Sequence, residues 1–148
     1  MDAFESDPKI AVVGPSTSRS ATKQKIRRAE CCRKYWTNSQ IYSFAARYVL
    51  KRSRRVIVDL PVVGGFAFFI RRSTWEELGG FDINLPHYGN ESELCRRLSR
   101  AGYRVVWTQN SYIHHLGEST YSRKMFTDEL QNIRLRARDY ILRRYGAD

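Results

Sequence analysis

One stretch restricts the fold more than any other. Asn90-Glu91-Ser92-Glu93 reads as a capping box that opens a helix, and Leu94, Cys95, Leu98 and Ala101 give that helix one apolar face. Gly102 stops it, and Tyr103-Arg104-Val105-Val106-Trp107 follows at once as a strand. The rest of the chain supplies partners at matching intervals. Lys9 to Val13 is a β-branched run that reads as a buried strand stopped by Gly14-Pro15. Arg55 to Leu60 is a short strand. Val62 to Ile70 is continuous and apolar and predicts a central strand buried on both faces, with Gly64-Gly65 as a bulge or a point of close approach. Ser111 to His115 is a further strand after the break at 108–110.

Helical spacing appears between these runs. Met1 to Asp7 is a short polar, helix-compatible stretch. Ile41, Phe44, Ala45, Tyr48 and Val49 form one face of a helix over Ser39 to Lys51. Ser73-Thr74-Trp75-Glu76 is a second capping box, and Gly79-Gly80 ends its helix. Tyr121 to Tyr145 reads as a long helix with Phe126, Leu130, Ile133, Ala137, Tyr140 and Ile141 inward and arginines over much of the remainder. Ser16 to Thr22 reads as a mobile loop, and 23–35 as a basic segment of weak helical character. The alternation predicts an α/β fold with a mixed sheet, flanking helices and a long C-terminal helix, within one domain spanning 1–148.

Charge and cysteine usage narrow the function. Lys and Arg number 26 against 15 Asp and Glu, for a net charge of +11, which favours anionic partners: nucleic acid, acidic lipid headgroups or phosphorylated small molecules. Three cysteines, Cys31, Cys32 and Cys95, form no Cys-x-x-Cys pair, which argues against a disulfide framework or a cysteine zinc site and for a reducing compartment. The longest apolar run is too short to span a bilayer. These readings place the chain in the cytoplasm, with peripheral contact at the inner face of a membrane compatible with its charge.

Chemistry concentrates between Gly79 and Thr120. Glu91 stands at a helix start beside the Pro86–Gly89 loop, where a carboxylate serves either the helix dipole or a cleft as a general base. Glu93 either completes the capping box or joins Glu91 as a second carboxylate. His114 and His115 lie at a strand end, where one histidine faces the core and the other a cleft. Ser119 and Thr120 either cap the next helix or contact a ligand.

The order of these motifs resembles the C-terminal half of family 2 glycosyltransferases, the inverting sugar transferases of GT-A fold. The resemblance runs through Gly65-Phe66-Ala67-Phe68-Phe69-Ile70-Arg71-Arg72, Gly79-Gly80-Phe81-Asp82, the helix from Asn90-Glu91-Ser92-Glu93-Leu94-Cys95 to Arg97-Leu98, Gly102-Tyr103-Arg104 and His115-Leu116-Gly117-Glu118-Ser119-Thr120. Asp7 to Pro15 is similar to the segment that follows the family's metal-binding Asp-x-Asp. The resemblance implies that Glu91 takes the catalytic-base position, that Gly65, Asp82, Glu93 and Arg97 contribute to substrate binding, and that His115 helps hold a Mg²⁺ or Mn²⁺ ion. It implies a nucleotide-sugar donor and transfer to an acceptor hydroxyl with inversion. The sequence contains no Asp-x-Asp. The expectation is therefore a truncated domain lacking the N-terminal nucleotide-binding half, with a partner chain or self-association supplying that half. A non-catalytic interaction module of the same fold is the alternative, and a basic module for nucleic acid or membrane surfaces ranks last.

Overall fold

The computed structural model describes residues 3–18, 23–24, 26, 36–51, 56–115 and 127–146. A four-stranded mixed sheet has the order β2-β4-β1-β3, with β1 at Ile10–Thr17, β2 at Ile57–Asp59, β3 at Phe69–Ile70 and β4 at Arg104–Ile113. β1 and β4 run parallel as the central pair, and β2 and β3 pair antiparallel on the outside. All eight residues of β1 are buried, as befits a strand covered on both faces.

β1 does not stop at Gly14-Pro15. It continues to Thr17, and Ser16, Thr17 and Ser18 are buried rather than mobile. The hydroxyls have partners there: Tyr48 and the Trp107 indole both donate to Ser16 Oγ, at 2.8 and 2.9 Å. Pro15 lacks an N–H, and the ladder shifts register just after it, from Pro15↔Thr108 to Ser16↔Tyr112. That irregularity absorbs 109–111, so the two strands expected over 103–115 are the single strand β4.

The apolar run at 62–70 departs furthest from expectation. Only Phe69 and Ile70 are extended into the sheet, at its edge, and Phe69 is 54% exposed. Val62 to Phe68 is a loop. Its fixed point is Gln24, whose side chain is fully buried. Gln24 Nε2 donates to the Pro15 carbonyl at 2.9 Å, and the Gly64 N–H donates to Gln24 Oε1 at 2.7 Å. A Cβ at Gly14 would lie 2.2 Å from Gln24 Nε2, so glycine is what lets this bridge sit against β1. Val63 then enters the main core with Ala11, Val12, Leu94, Cys95, Leu98 and Val105.

Among the described residues there are five helices: α1 at Ala3–Ser6, α2 at Asn38–Lys51, α3 at Arg72–Leu78, α4 at Asn90–Arg100 and α5 at Thr127–Tyr145; α1, α2 and α4 lie against the sheet. In α2 the inward face is as expected except Val49, which is 40% exposed; Phe44 packs edge-on against Tyr112 of β4. Arg71 fastens α1 to the sheet, donating to the carbonyls of Ile10, Phe4 and Asp7. Arg104 adds ion pairs to Asp7 and Asp59, both at 2.8 Å. Neither expected capping box forms. α3 begins at Arg72 after Arg71, and Glu76 pairs with Arg72. α4 begins after Gly89, with no side-chain cap, and Glu93 turns inward instead. Leu94, Cys95 and Leu98 are buried as expected, but Ala101 is exposed. The described residues at 23, 24 and 26 are not helical; the remainder of 23–35, together with 19–22 and 116–126, lies outside the described residues.

α5 packs on the 81–89 loop through Ala137 and Ile141 against Leu85. Gly89 permits that approach: its φ is 81°, and a Cβ there would sit 3.0 Å from Ile141 Cδ1. Among the described residues no helix is long and apolar enough to cross a membrane.

Candidate functional site

The first turn of α4 meets the 62–68 loop at Gly65. A Cβ on Gly65 would stand 1.6 Å from Glu91 Oε1 and 2.6 Å from Glu91 Cδ, so the carboxylate occupies the space that any side chain at 65 would need. The loop stays in place because Gln24 holds Gly64 from one side. On the other, Val63 fills the core beside Cys95. Glu91 is half-buried, and burial pushes its carboxyl above the usual carboxylate range. Burial, together with the nearby Glu91 charge, pushes the Cys95 thiol up to about 11.

A cavity of about 460 Å³ opens beside this contact. Phe66, Phe68, Trp75 and Phe81 form its aromatic wall, and Asn90 and Glu91 its polar end. Trp75 and Phe81 pack edge to face at 4.9 Å, and Phe68 lies 5.9 Å from Phe81, so the rings brace one another. Asn90 Oδ1 is buried and has no hydrogen-bond partner among the described residues. Such an acceptor is costly to leave unmatched, by about 1–3 kcal/mol.

His115 joins the same region through Phe66, whose ring stacks on the imidazole at 5.2 Å. Its backbone is fixed to the end of β1: the His115 N–H donates to Ser18 Oγ at 3.1 Å, and the hydroxyl donates to the His115 carbonyl at 3.2 Å. His114 instead lies next to the Tyr112 hydroxyl, 3.1 Å from Nδ1, and burial lowers its pKa. Both histidines follow the last residue of β4 rather than lying on the strand. Among the described residues no three His, Cys, Asp or Glu side chains cluster tightly enough to hold a metal ion. His115 is thus a single potential donor and does not make up a Mg²⁺ or Mn²⁺ site, which normally takes several oxygen ligands.

Asp82, Glu93 and Arg97 stand apart from the cavity lining and form a brace behind it. Glu93 is fully buried and takes a bidentate ion pair from Arg97, with the closest contact at 2.7 Å. The same guanidinium donates to the carbonyls of Leu78 and Gly80, at 2.5 and 2.6 Å, closing the end of α3. The Tyr145 hydroxyl donates to Glu93 from α5. Asp82 receives Tyr140 at 2.7 Å and Arg144 at 2.6 Å, and these partners, Tyr140 foremost, hold its carboxyl below the usual range. The brace therefore ties α3, α4, α5 and the 81–89 loop together.

The structure brings Gly65, Glu91 and His115 to one region and engages Asp82, Glu93 and Arg97 within the fold. Sequence reasoning missed Gln24, which has no local signature, and the part of Asn90 beyond its expected cap. The aromatic cluster at 66–69 was visible, but as strand rather than cavity wall.

A profile of the glycosyl transferase family group 2 matches residues 3–141, nearly the whole chain. Over 64 residues the chain is 31% identical to an uncharacterised protein of Mycobacterium bovis and to uncharacterised proteins from two strains of Mycobacterium tuberculosis. Those matches take in 41% of this chain and 24% of each relative, so the chain spans about a quarter of the length of the curated relatives it matches. No solved structure gives a significant match. A mixed four-stranded sheet with helices against it is the arrangement of a GT-A-like domain, and with the match over 3–141 it shows that the chain belongs to the glycosyl transferase family group 2.

Proposed function

We propose that this chain is the acceptor-side part of an inverting sugar transferase in which Glu91 is the general base. The observation that carries the reading is the desolvated Glu91 carboxylate, seated on Gly65 at the polar end of an aromatic-walled cavity. A carboxyl of raised pKa is a stronger base than a solvated one, and base catalysis of this kind contributes about 10²–10⁴-fold. An acceptor hydroxyl in the cavity gives its proton to Glu91 as its oxygen bonds to the anomeric carbon. The bond from that carbon to the leaving diphosphate breaks with its electron pair on the diphosphate, and the configuration inverts. The apolar ring faces of Trp75 and Phe81 match the C–H faces of a sugar. His115 remains a proposed donor to Mg²⁺ or Mn²⁺, with its co-ligands on the donor-binding half.

The test is transfer from UDP- and GDP-sugars with Mn²⁺ by the parent chain and by Glu91→Gln, first alone and then with the donor-binding half supplied. The expected loss in Glu91→Gln is about 10²-fold or more with the fold intact. Full transfer by Glu91→Gln refutes the base assignment. A second reading, a non-catalytic module of the same fold, rests on the missing Asp-x-Asp and on the lack of a metal cluster among the described residues. Failure of a folded chain to bind any donor at millimolar concentration, alone or with that half, would favour it.

A further inference from the structure

Helix α2 carries apolar residues on two faces, and the sheet takes up only one. Phe44 and Tyr48 turn inward onto Tyr112 of β4, at 5.3 and 5.5 Å between ring centroids, and Tyr48 is buried. The outer face holds Tyr42, 73% exposed, Leu50, 75% exposed, and Val49, 40% exposed. At about 100° per residue, Val49, Tyr42, Ala46 and Leu50 fall on one continuous arc of the helix, and Arg47 and Lys51 run along one margin of it. All six are exposed, and α2 contains no acidic residue. Among the described residues no other helix or strand exposes more than one large apolar side chain. Single exposed apolar residues are ordinary, whereas a row of them marks a surface that meets something.

Charge identifies what such a face meets. Residues 19–55 of the sequence hold twelve Lys and Arg against one acid, Glu30, whereas the rest of the chain holds fourteen of each sign. The net charge of +11 therefore belongs to the stretch of sequence that contains α2. A charge of that size and sign favours an anionic surface, and the outer row of α2 decides which one. A nucleic acid offers phosphates but no medium for Val49 and Leu50. A bilayer with acidic headgroups offers both: phosphates for Arg47 and Lys51, acyl chains for the aliphatic side chains, and the boundary between them for the Tyr42 ring. A second copy of this chain would bring a like charge of +11 against the first. We propose that the outer face of α2 is a docking surface for anionic phospholipid bilayers, with the helix lying in the plane of the headgroups. The proposal stands apart from the reading of Glu91, because lipid binding requires no transfer.

Flotation of the full chain tests this, with vesicles of phosphatidylcholine alone and of phosphatidylcholine and phosphatidylglycerol in equal parts. The chain is expected to float with the mixed vesicles and not with phosphatidylcholine, and to bind less as salt is raised. Tyr42→Gln/Leu50→Gln, which keeps the charge, should lower the partition coefficient about tenfold or more. Arg47→Gln/Lys51→Gln should do the same, since each cation at such a surface is worth about fivefold. Leu135→Gln, at another exposed apolar position on α5, and Arg143→Gln should each change it less than about twofold. If Tyr42→Gln/Leu50→Gln loses its circular-dichroism spectrum, Leu50→Gln alone carries the comparison. Equal binding to both kinds of vesicle, no binding to either, or binding by the folded Tyr42→Gln/Leu50→Gln variant as tight as the parent's each overturns the proposal. Duplex DNA that binds the parent and is weakened by the same double variant would make nucleic acid the occupant. A concentration-dependent dimer that Leu50→Gln dissociates would make it a second copy. Either result likewise overturns lipid docking.

Discussion

Gly65→Ala separates the geometry of the base from the stability of the fold. The new methyl would sit 1.6 Å from Glu91 Oε1, and ordinary contact begins at 3.4 Å, so the carboxylate must retreat by 1.8 Å. Gly65 is not among the glycines with left-handed φ, so alanine fits the backbone itself. The obstacle is the far end of a flexible side chain, and the open cavity beside it gives that end somewhere to go. The stability change is then small: relief of unfolded-state entropy contributes about 0.4–1 kcal/mol in favour of alanine, against the cost of one new Glu91 rotamer, about 0.5–1.5 kcal/mol. The chemical effect is large, because misplacing a reacting group by about 1 Å costs about 10²-fold, or about 2.7 kcal/mol of barrier. Two assays read it. Carboxyl ¹³C titration should show the Glu91 midpoint falling towards the ordinary value of about 4.3 as the group enters solvent, and kcat/KM for transfer should fall about 10²-fold or more. An unchanged midpoint together with full activity would show that Gly65 does not set the position of Glu91. A collapse of the fold would show that the cavity has no room for the displaced group.

Arg97→Met leaves the Glu93 carboxylate buried without its partner and strips the Leu78 and Gly80 carbonyls of their donor. The expected cost is about 3–5 kcal/mol, read as a lower urea midpoint, and Glu93→Leu/Arg97→Met should recover part of it; additive losses would refute a coupled brace. Glu91 also leaves a mark on stability against pH. Its folded pKa is raised, so its contribution is full below its unfolded pKa and is lost as pH rises through the folded one. Glu91→Gln should abolish that decline in the melting temperature, and an identical profile in parent and variant would contradict the desolvated seat. Cys95, buried with its thiol pushed up to about 11, should react with a thiol reagent at pH 8 only when the fold opens. In a Cys31→Ser/Cys32→Ser background the labelling rate should therefore track global unfolding, and rapid labelling of the native chain would refute the packing around α4.

The sequence disclosed what local pattern controls. The helix ending at Gly102, the parallel strands at 10–13 and 104–107 and the apolar stripe through Leu130, Ala137 and Ile141 all follow from periodicity, and all are present. It failed where a distant side chain decides the outcome. Val62 to Phe68 has every mark of a buried strand, but Gln24 binds the Gly64 N–H and pulls the loop over α4 before the chain reaches the sheet at Phe69. Glu93 has the spacing of a cap, yet Arg97 and Tyr145 give it better partners inside. Glu91 was legible as a carboxylate at a helix start. That it lies against Gly65 was not, since the two are joined only by the folding of the intervening chain.

The first turn of α4 sets four successive residues in different surroundings. Successive helical residues diverge by about 100°; Glu91 faces the aromatic cavity, Ser92 a groove shared with Arg134 and Arg138 of α5, and Glu93 the buried brace. Each position is answered by a different element: the 62–68 loop at Glu91, α5 across the groove from Ser92, and Arg97 with the end of α3 at Glu93. The carboxylate proposed as base is held at the rim of the turn because Glu93 anchors the turn from within. The arrangement also separates the effects of mutation. A change at Glu91 reaches chemistry without loosening the helix, a change at Glu93 loosens the helix and thereby reaches chemistry, and only the second should lower the urea midpoint along with the rate.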